Sequence, residues 1–331
     1  VALIGPVGIV GQEVIQLMEE RGFPLRELTP LGTVETEGTR VECGGHRAVV
    51  RAVTKEAFAG VDLAIFMADA DQSRDYAPHA VEAGAVVIDC SGAFSQDPYI
   101  PLCVPEVNAA VLAQHRGLVA VPQSMSVQLA LVLAPLHAEV PLKRVVISTY
   151  QSVSGMGRPA MQEFDQQMRD LLNFRPAQTE TFPHQLAFNC LPQCGDFLDN
   201  GYTSEEMALV EELRRLLGVA ALPISATAVQ VPLMHGHAAT VYVETADPAS
   251  PDRIRDVLQG APGVRVQDDP RRLLYPLPVQ VNGQDDVCVG RIRADLAVAQ
   301  GIQMWVVADN LRRGMALNVV QVAEVLTQGG R

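Results

Sequence analysis

The sequence predicts an α/β protein in two parts, a doubly wound parallel sheet followed by an α+β domain. Three observations carry this expectation. The apolar run Val1–Ile4 leads into Gly5–Gly11 (Gly-Pro-Val-Gly-Ile-Val-Gly), and then into Gln12–Arg21. There Val14, Ile15, Leu17 and Met18 form one apolar face at helical spacing. The runs Leu63–Phe66 and Val86–Ile88 are apolar throughout, as parallel strands covered on both faces are. From Arg144 onward the apolar segments lengthen and alternate, which marks a different kind of sheet.

Strand, glycine turn and helix, in that order, open a Rossmann-type dinucleotide-binding unit. Ala77–Ala83 is its intervening helix. A helix over Val127–Leu136 begins directly after Ser124. Strands are expected at Arg144–Tyr150, Ala226–Val231 and Ala239–Val243. Between them lies an amphipathic helix, Ser204–Leu217. Ser204 is its N-cap candidate, with Glu205 and Glu206 in the first turn, where acids suit the helix dipole. Pro248–Pro251 and Pro276–Pro278 read as loops. Met304–Ala308 then leads to a helix over Met315–Thr327, where the chain is expected to return to the first domain. The expected domains are 1–124, 125–308 and a closing helical segment 309–331.

The 331 residues suit about two domains. A net charge of −13 argues against nonspecific nucleic acid or anionic membrane as partner, since both repel a negative surface. No apolar run approaches the ~18 residues of a membrane span. Val1 opens directly into a strand, so a native N-terminus a few residues upstream is expected. Six cysteines are scattered, and only Cys190 and Cys194 are close, without a second pair or spaced histidines, so no metal site is expected. They read as small core side chains in a reducing cytoplasm.

Five collinear blocks identify a resemblance: Val104–Asn108, Ser148–Gly155, Ala187–Pro192, Val289–Arg293 and Met304–Asn310. With the glycine turn they resemble the aspartate-semialdehyde dehydrogenase family along nearly the whole chain. The resemblance implies a dinucleotide-binding domain, an α+β catalytic domain that also makes a homodimer interface, and NADP-dependent reductive dephosphorylation of β-aspartyl phosphate. It also sharpens one position. Where the family's active-site turn reads Pro-Asn-Cys-Ser-Thr-Ile-Gln, Pro122–Gln128 reads Pro-Gln-Ser-Met-Ser-Val-Gln. Ser124 thus stands at the nucleophilic cysteine. A paralogous branch of the family, with Val-Pro-Asp-Ser-Leu-Thr-Ser-Gln there, also lacks the thiol.

The same resemblance places His237 at the catalytic base, Gln151 and Glu205 at substrate contacts, and Gln230 where the family has an arginine for the substrate carboxylate. It places Ser95 and Ala208 at the two phosphate cations and Gln123 at the asparagine beside the nucleophile. Asn189 is retained in its loop, and His235 has no family role. A neutral amide replaces a bidentate arginine poorly. Losing two or three cationic contacts, at about 1.5–3 kcal/mol each, would remove several powers of ten in affinity for a dianionic substrate. A serine hydroxyl, unlike a thiol, needs a strong positioned base to become a nucleophile.

For the cofactor, the resemblance assigns Gly5, Gly8 and Gly11 to the pyrophosphate, Glu35 and Thr36 to the ribose, and Asn310 to the nicotinamide side. The glycines let a pyrophosphate approach the helix N-terminus; they equally suit a tight turn that binds nothing. Glu35 would repel a 2′-phosphate and accept from a ribose hydroxyl, so NAD is expected over NADP. Asp69 and Asp71 would stand near the same anion.

Three functions remain open. One is a disabled dehydrogenase fold kept as a dimeric binding or regulatory component, with an unidentified protein partner. Another is an NAD-dependent oxidoreductase acting on a different aldehyde or oxo substrate through His237. The third is a serine hydrolase using Ser124 and His237. Against each stands a plainer role: Ser124 as a helix cap for Val127 onward, His237 as a hydrogen-bonded structural histidine, and Glu205 as a first-turn acid.

Overall fold

Residues 1–328 are described by a computed structural model. They divide into two compact units: Val1–Gln123 with the segment from Gly314, and Ser124–Arg313.

Unit one opens with β1 (Ala2–Ile4), the glycine turn and α1 (Ile9–Glu20). It continues through β2 (Thr29–Gly32), the hairpin of β3 (Arg40–Cys43) and β4 (His46–Val49), and β5 (Arg51–Ala52). Then come β6 (Leu63–Phe66), α2 (Ala70–Glu82), β7 (Val86–Asp89), α3 (Pro105–Asn108) and β8 (Leu118–Ala120). Six strands form one parallel sheet in the order β5-β2-β1-β6-β7-β8. Leu3, Ile65 and Ile88 pack on one face against Val14 and Met18, while Ala2, Ile4, Ala64 and Val87 pack on the other against Ala77 and Ala80. Apolar side chains on both faces explain the uninterrupted runs.

Two helices of unit one begin earlier than their sequence signals. The second starts at Ala70, not Ala77, because the Asp69 carboxylate accepts from the Gln72 N–H at 2.8 Å and caps it. Asp71, in its first turn, pairs with Arg74 at 2.9 Å. The first starts at Ile9, inside the glycine motif, with Gly8 as N-cap.

Unit two opens on α4 (Ser124–Glu139), buried all round from Met125 to Leu133. It continues through β9 (Leu142–Gln151), α5 (Gly157–Leu172), α6 (Ser204–Leu217), β10 (Ile224–Gln230) and β11 (His237–Thr245). After these come α7 (Pro251–Gln259), β12 (Val264–Val266), β13 (Val287–Ala294) and β14 (Gly301–Ala308). The mixed sheet runs β10-β9-β11-β14-β13-β12. Helices α4, α6 and α7 pack on it. Along β9, Val145, Ile147 and Thr149 are buried, whereas Val146, Ser148 and Tyr150 keep some exposure, so the other face is less covered.

The cap of α6 is Thr203 rather than Ser204. Its hydroxyl accepts from the Glu206 N–H at 3.3 Å and the Glu206 carboxylate accepts from the Thr203 N–H at 2.7 Å, a capping box. Pro251 begins a helix instead of ending a loop, because Ser250 caps α7 and proline is tolerated at its first position. A π-helical turn, Arg312–Ala316, precedes α8 (Leu317–Gln328). The last three positions of the segment 309–331 lie outside the described residues. Among the described residues no helix is long and apolar enough to cross a membrane.

Candidate functional site

Ser124, His237 and Asn310 meet at the ends of three elements of unit two. Ser124 is the first residue of α4, His237 the first of β11, and Asn310 follows β14, which pairs with β11 so that Ala308 faces His237. Asp309 shapes the turn that carries Asn310. One carboxylate oxygen accepts from the N–H groups of Leu311 and Arg312, both at 2.9 Å, and the other from Gly283 N–H at 2.8 Å.

The Ser124 hydroxyl donates to the main-chain oxygen of Asn310 at 3.0 Å and accepts from Gln128 Nε2 at 3.1 Å. The expected cap to α4 is not made, because the hydroxyl points across to the Asn310 turn. Ser124 and His237 share no hydrogen bond among the described residues, so the hydroxyl proton is committed to a carbonyl.

His237 is 3% exposed. Its Nδ1 accepts from the Ser152 N–H at 3.1 Å, and Ser152 Oγ lies 3.1 Å from the same nitrogen. Burial pushes its pKa down to about 3, so the ring is neutral. Asn310, 2% exposed, accepts at Oδ1 from Gly236 N–H at 3.0 Å and from the hydroxyls of Ser152 and Ser154 at 3.2 Å each. Its Nδ2 donates to Ser154 Oγ at 3.0 Å.

A second group joins Gln151, Cys194, Glu205 and Gln230. Gln230 Nε2 donates to the main-chain oxygen of Gln151 at 3.0 Å, and the Cys194 thiol faces Gln230 Oε1 at 3.8 Å. The Gln230 amide, 3% exposed, is therefore folded onto its own sheet. Burial raises the Glu205 carboxyl, partly offset by a hydrogen bond from Gln151. Burial, with Glu205 and Glu206 nearby, pushes the Cys194 thiol up to about 12, so it is a poor nucleophile. Asn189 is spent on its own loop, donating to Gln185 O at 3.0 Å and accepting from Cys190 N–H at 2.8 Å. His235 Nδ1 has no hydrogen-bond partner among the described residues, Ala208 lies within α6, and Ser95 is buried in unit one.

In unit one the glycine turn is built for close approach. Gly5 has φ +80°, and a Cβ there would lie 2.5 Å from Met67 O. A Cβ on Gly11 would overlap Gly5 O. One on Gly8 would meet only Gly5 O, at 3.3 Å. Gly8 is exposed, and the first turn of α1 holds no acidic residue. A helix N-terminus with a side-chain-free cap fits an anion such as a pyrophosphate. Pairing of β1 with β2 sets the end of β2 beside this turn, and Glu35 follows in a short helical turn, exposed. The Thr33 hydroxyl and its own N–H hold the Glu35 carboxyl below the ordinary range, so it is anionic. The Thr36 hydroxyl donates to Thr33 O at 3.0 Å.

Residues 1–115 match the semialdehyde dehydrogenase NAD-binding domain, and residues 133–313 match the semialdehyde dehydrogenase dimerisation domain. An aspartate-semialdehyde dehydrogenase of Bacillus subtilis is 42% identical over 98% of this chain and 96% of its own. That of Aquifex aeolicus is 40% identical over 100% and 98%. The crystal structure of aspartate-semialdehyde dehydrogenase II from Vibrio cholerae, complexed with ASA, superposes with a TM-score of 0.95 at 39% identity, covering 99% of this chain and 97% of that one. The chain belongs to the aspartate-semialdehyde dehydrogenase family.

The family's two domains account for the parallel sheet of unit one and the mixed sheet of unit two. Sequence reasoning passed over Gln128, Ser152, Ser154 and Asp309, all neutral or turn residues. Their signal was position alone: Ser152 and Ser154 inside Ser148–Gly155, Asp309 inside Met304–Asn310, and Gln128 at the end of Pro122–Gln128. Among the described residues no three His, Cys, Asp or Glu side chains gather as a metal site.

Proposed function

We propose that this member does not run the parent thiol chemistry and serves as a dimeric binding or regulatory protein of the Usg type, the paralogous branch that also lacks the cysteine. The observation that carries this reading is the Ser124 hydroxyl, whose proton goes to Asn310 O and not to a base. The neutral His237, already accepting at Nδ1, supports it. So does Gln230, which stands at the carboxylate-binding arginine and turns its amide to Gln151 O. Ser95 and Ala208 supply no charge at the two phosphate positions. These features also weigh against a serine hydrolase, which needs the Ser124 proton directed at His237.

Gly5, Gly8 and Gly11 would hold the pyrophosphate of a dinucleotide, with NAD ahead of NADP because Glu35 is anionic. When bound, the dinucleotide supplies hydride chemistry. The retained glycine turn therefore favours, as second reading, an NAD-dependent oxidoreductase acting on a less anionic aldehyde or oxo substrate. The less covered face of the unit-two sheet, with Tyr150, Thr240 and Trp305, is the surface proposed for the homodimer. A cytoplasmic location is proposed from the six free cysteines.

The test is an assay of purified protein, free of host enzyme, for phosphate-dependent oxidation of aspartate semialdehyde. No turnover is expected, and a clear rate overturns the first reading. Calorimetric titration with NAD and NADP decides between the two: saturable NAD binding with weaker NADP favours the second, and no heat with either favours the first.

A further inference from the structure

We propose that Asn282 is a self-modifying residue of unit two. The Gly283 nitrogen attacks the Asn282 side-chain amide, expels ammonia and leaves a succinimide, which water opens to aspartate or isoaspartate. The reaction removes a hydrogen bond that holds the turn carrying Asn310.

The sequence holds two Asn-Gly pairs, Asn200–Gly201 and Asn282–Gly283, and the structure treats them differently. Val281–Gln284 form a tight turn: the Gln284 N–H donates to Val281 O at 3.0 Å, and Gly283 in third place has φ +74°. Glycine takes that φ without strain and has no Cβ to crowd its own nitrogen during attack. Asn282 and Gly283 are both exposed. The Asn282 amide has no hydrogen-bond partner among the described residues, so it can rotate onto the nitrogen beside it. The Asn200 amide is tied at both ends. Its Oδ1 accepts from the Tyr202 N–H at 3.1 Å, and its Nδ2 faces Met207 Sδ at 3.6 Å. The Gly201 N–H donates to Leu198 O at 3.0 Å, a neutral carbonyl that takes no proton.

At Gly283 the acceptor is a carboxylate. Its N–H donates to Asp309 Oδ2 at 2.8 Å, so the proton that must leave the nitrogen already faces a base. The Gly283 nitrogen then bonds to Asn282 Cγ, the Cγ–Nδ2 bond breaks, and Nδ2 departs as ammonia with the proton passed through Asp309. Water opens the ring at either carbonyl. Opening at the main-chain carbonyl routes the backbone through Cγ, which gives isoaspartate. No oxidant or reductant enters. The imide nitrogen carries no hydrogen, so Asp309 Oδ2 loses its donor, and the lengthened isoaspartyl backbone displaces the restored N–H. Asp309 is 4% exposed, and its other oxygen holds the N–H groups of Leu311 and Arg312. A buried carboxylate oxygen stripped of its partner is costly, so the turn that carries Asn310 shifts to recover one.

The experiment incubates the full chain in mildly alkaline buffer and follows both asparagines by peptide mass spectrometry, with an isoaspartate carboxyl methyltransferase as the probe for isoaspartate. Succinimide and isoaspartate should accumulate at Asn282 while Asn200 stays intact. Asn282→Gln should abolish the signal, and Asp309→Asn should slow it. In proton–nitrogen spectra the Asn310 side-chain amide should move in the isoaspartate form. It should stay in place in freshly purified Asn282→Asp, which adds the charge without lengthening the backbone. An intact Asn282 overturns the proposal, as does conversion of Asn200 at an equal or higher rate. So does an Asp309→Asn protein that converts no more slowly, or an Asn310 amide that stays put in the isoaspartate form or moves equally in Asn282→Asp. Where Asp309→Asn does not fold, the ranking of the two asparagines in wild type decides alone. None of these outcomes bears on the semialdehyde assay.

Discussion

Lowering the pH tests the state of His237 directly. The ring titrates at about 3 in the folded protein against an ordinary 6.5. The folded pKa is the lower one, so between those values the unfolded chain binds a proton that the native site refuses. Stability from this group is therefore complete above pH 6.5 and declines as the pH falls towards 3. Each unit corresponds to about 1.36 kcal/mol, so a drop from pH 7 to pH 4.5 removes roughly 2.7 kcal/mol. With the ring 3% exposed, solvent screening takes little from that figure. Many carboxylates titrate over the same range, so the informative quantity is a double difference: wild type against His237→Gln, at pH 7 and at pH 4.5. The glutamine amide can still accept from the Ser152 N–H while removing the titration. Urea unfolding followed by tryptophan fluorescence is the assay, because the single tryptophan, Trp305, lies in the same sheet, on the strand that pairs with β11 and carries the Ala308 that faces His237. The variant should lose about 2–3 kcal/mol less than wild type between the two pH values. Equal losses would show that His237 is not held neutral by burial, and the reasoning would be wrong.

Three further outcomes are expected. Ser124→Cys alone should leave phosphate-dependent turnover of aspartate semialdehyde at background, because Gln230, Ser95 and Ala208 are unchanged; a steady-state rate like that of the Bacillus subtilis relative would refute this. Gly11→Ala should destabilise unit one by about 1–3 kcal/mol, since its Cβ would overlap Gly5 O and lie 2.9 Å from Pro6 Cα, read as a lower urea midpoint by circular dichroism. Thr203→Ala removes one arm of the α6 capping box and should cost about 1 kcal/mol in tryptophan-detected unfolding.

The sheets were legible because their strands carry dense apolar signals. Leu63–Phe66 was read at its observed bounds, as was the helix Ser204–Leu217. Errors fell where polar residues decide a boundary. Asp69 was read as a charge near an anion, although it caps a helix that starts seven residues before its apolar core suggested. Thr203 lost to Ser204 as a cap because both residue types suit the role and only the reciprocal Glu206 bond separates them. Pro251 looked like a break because a proline at a helix start and a proline in a loop are alike in sequence. The site was legible as positions but not as orientations. Nothing in the sequence tells whether the Ser124 proton faces a base or a carbonyl, or which nitrogen of His237 is bare. Those facts come from backbone groups, the Asn310 oxygen and the Ser152 N–H, that have no letter in the sequence.

That distinction also bears on how far family membership reaches. This chain keeps a helix start at Ser124, a buried histidine at 237 and a buried asparagine on a turn at 310. In this chain the Ser124 proton lies on the Asn310 carbonyl, while the neutral His237 accepts from Ser152. The side chain at 124 and the backbone bond at 152 are separate features of the site. A single substitution at 124 could be reversed by mutation, whereas the Ser152 N–H cannot be changed without altering the chain path of β9 into the following turn. The Ser124→Cys experiment is therefore expected to fail even where a thiol is supplied, because Nδ1 of His237 already accepts from the Ser152 N–H and no base is hydrogen-bonded to position 124.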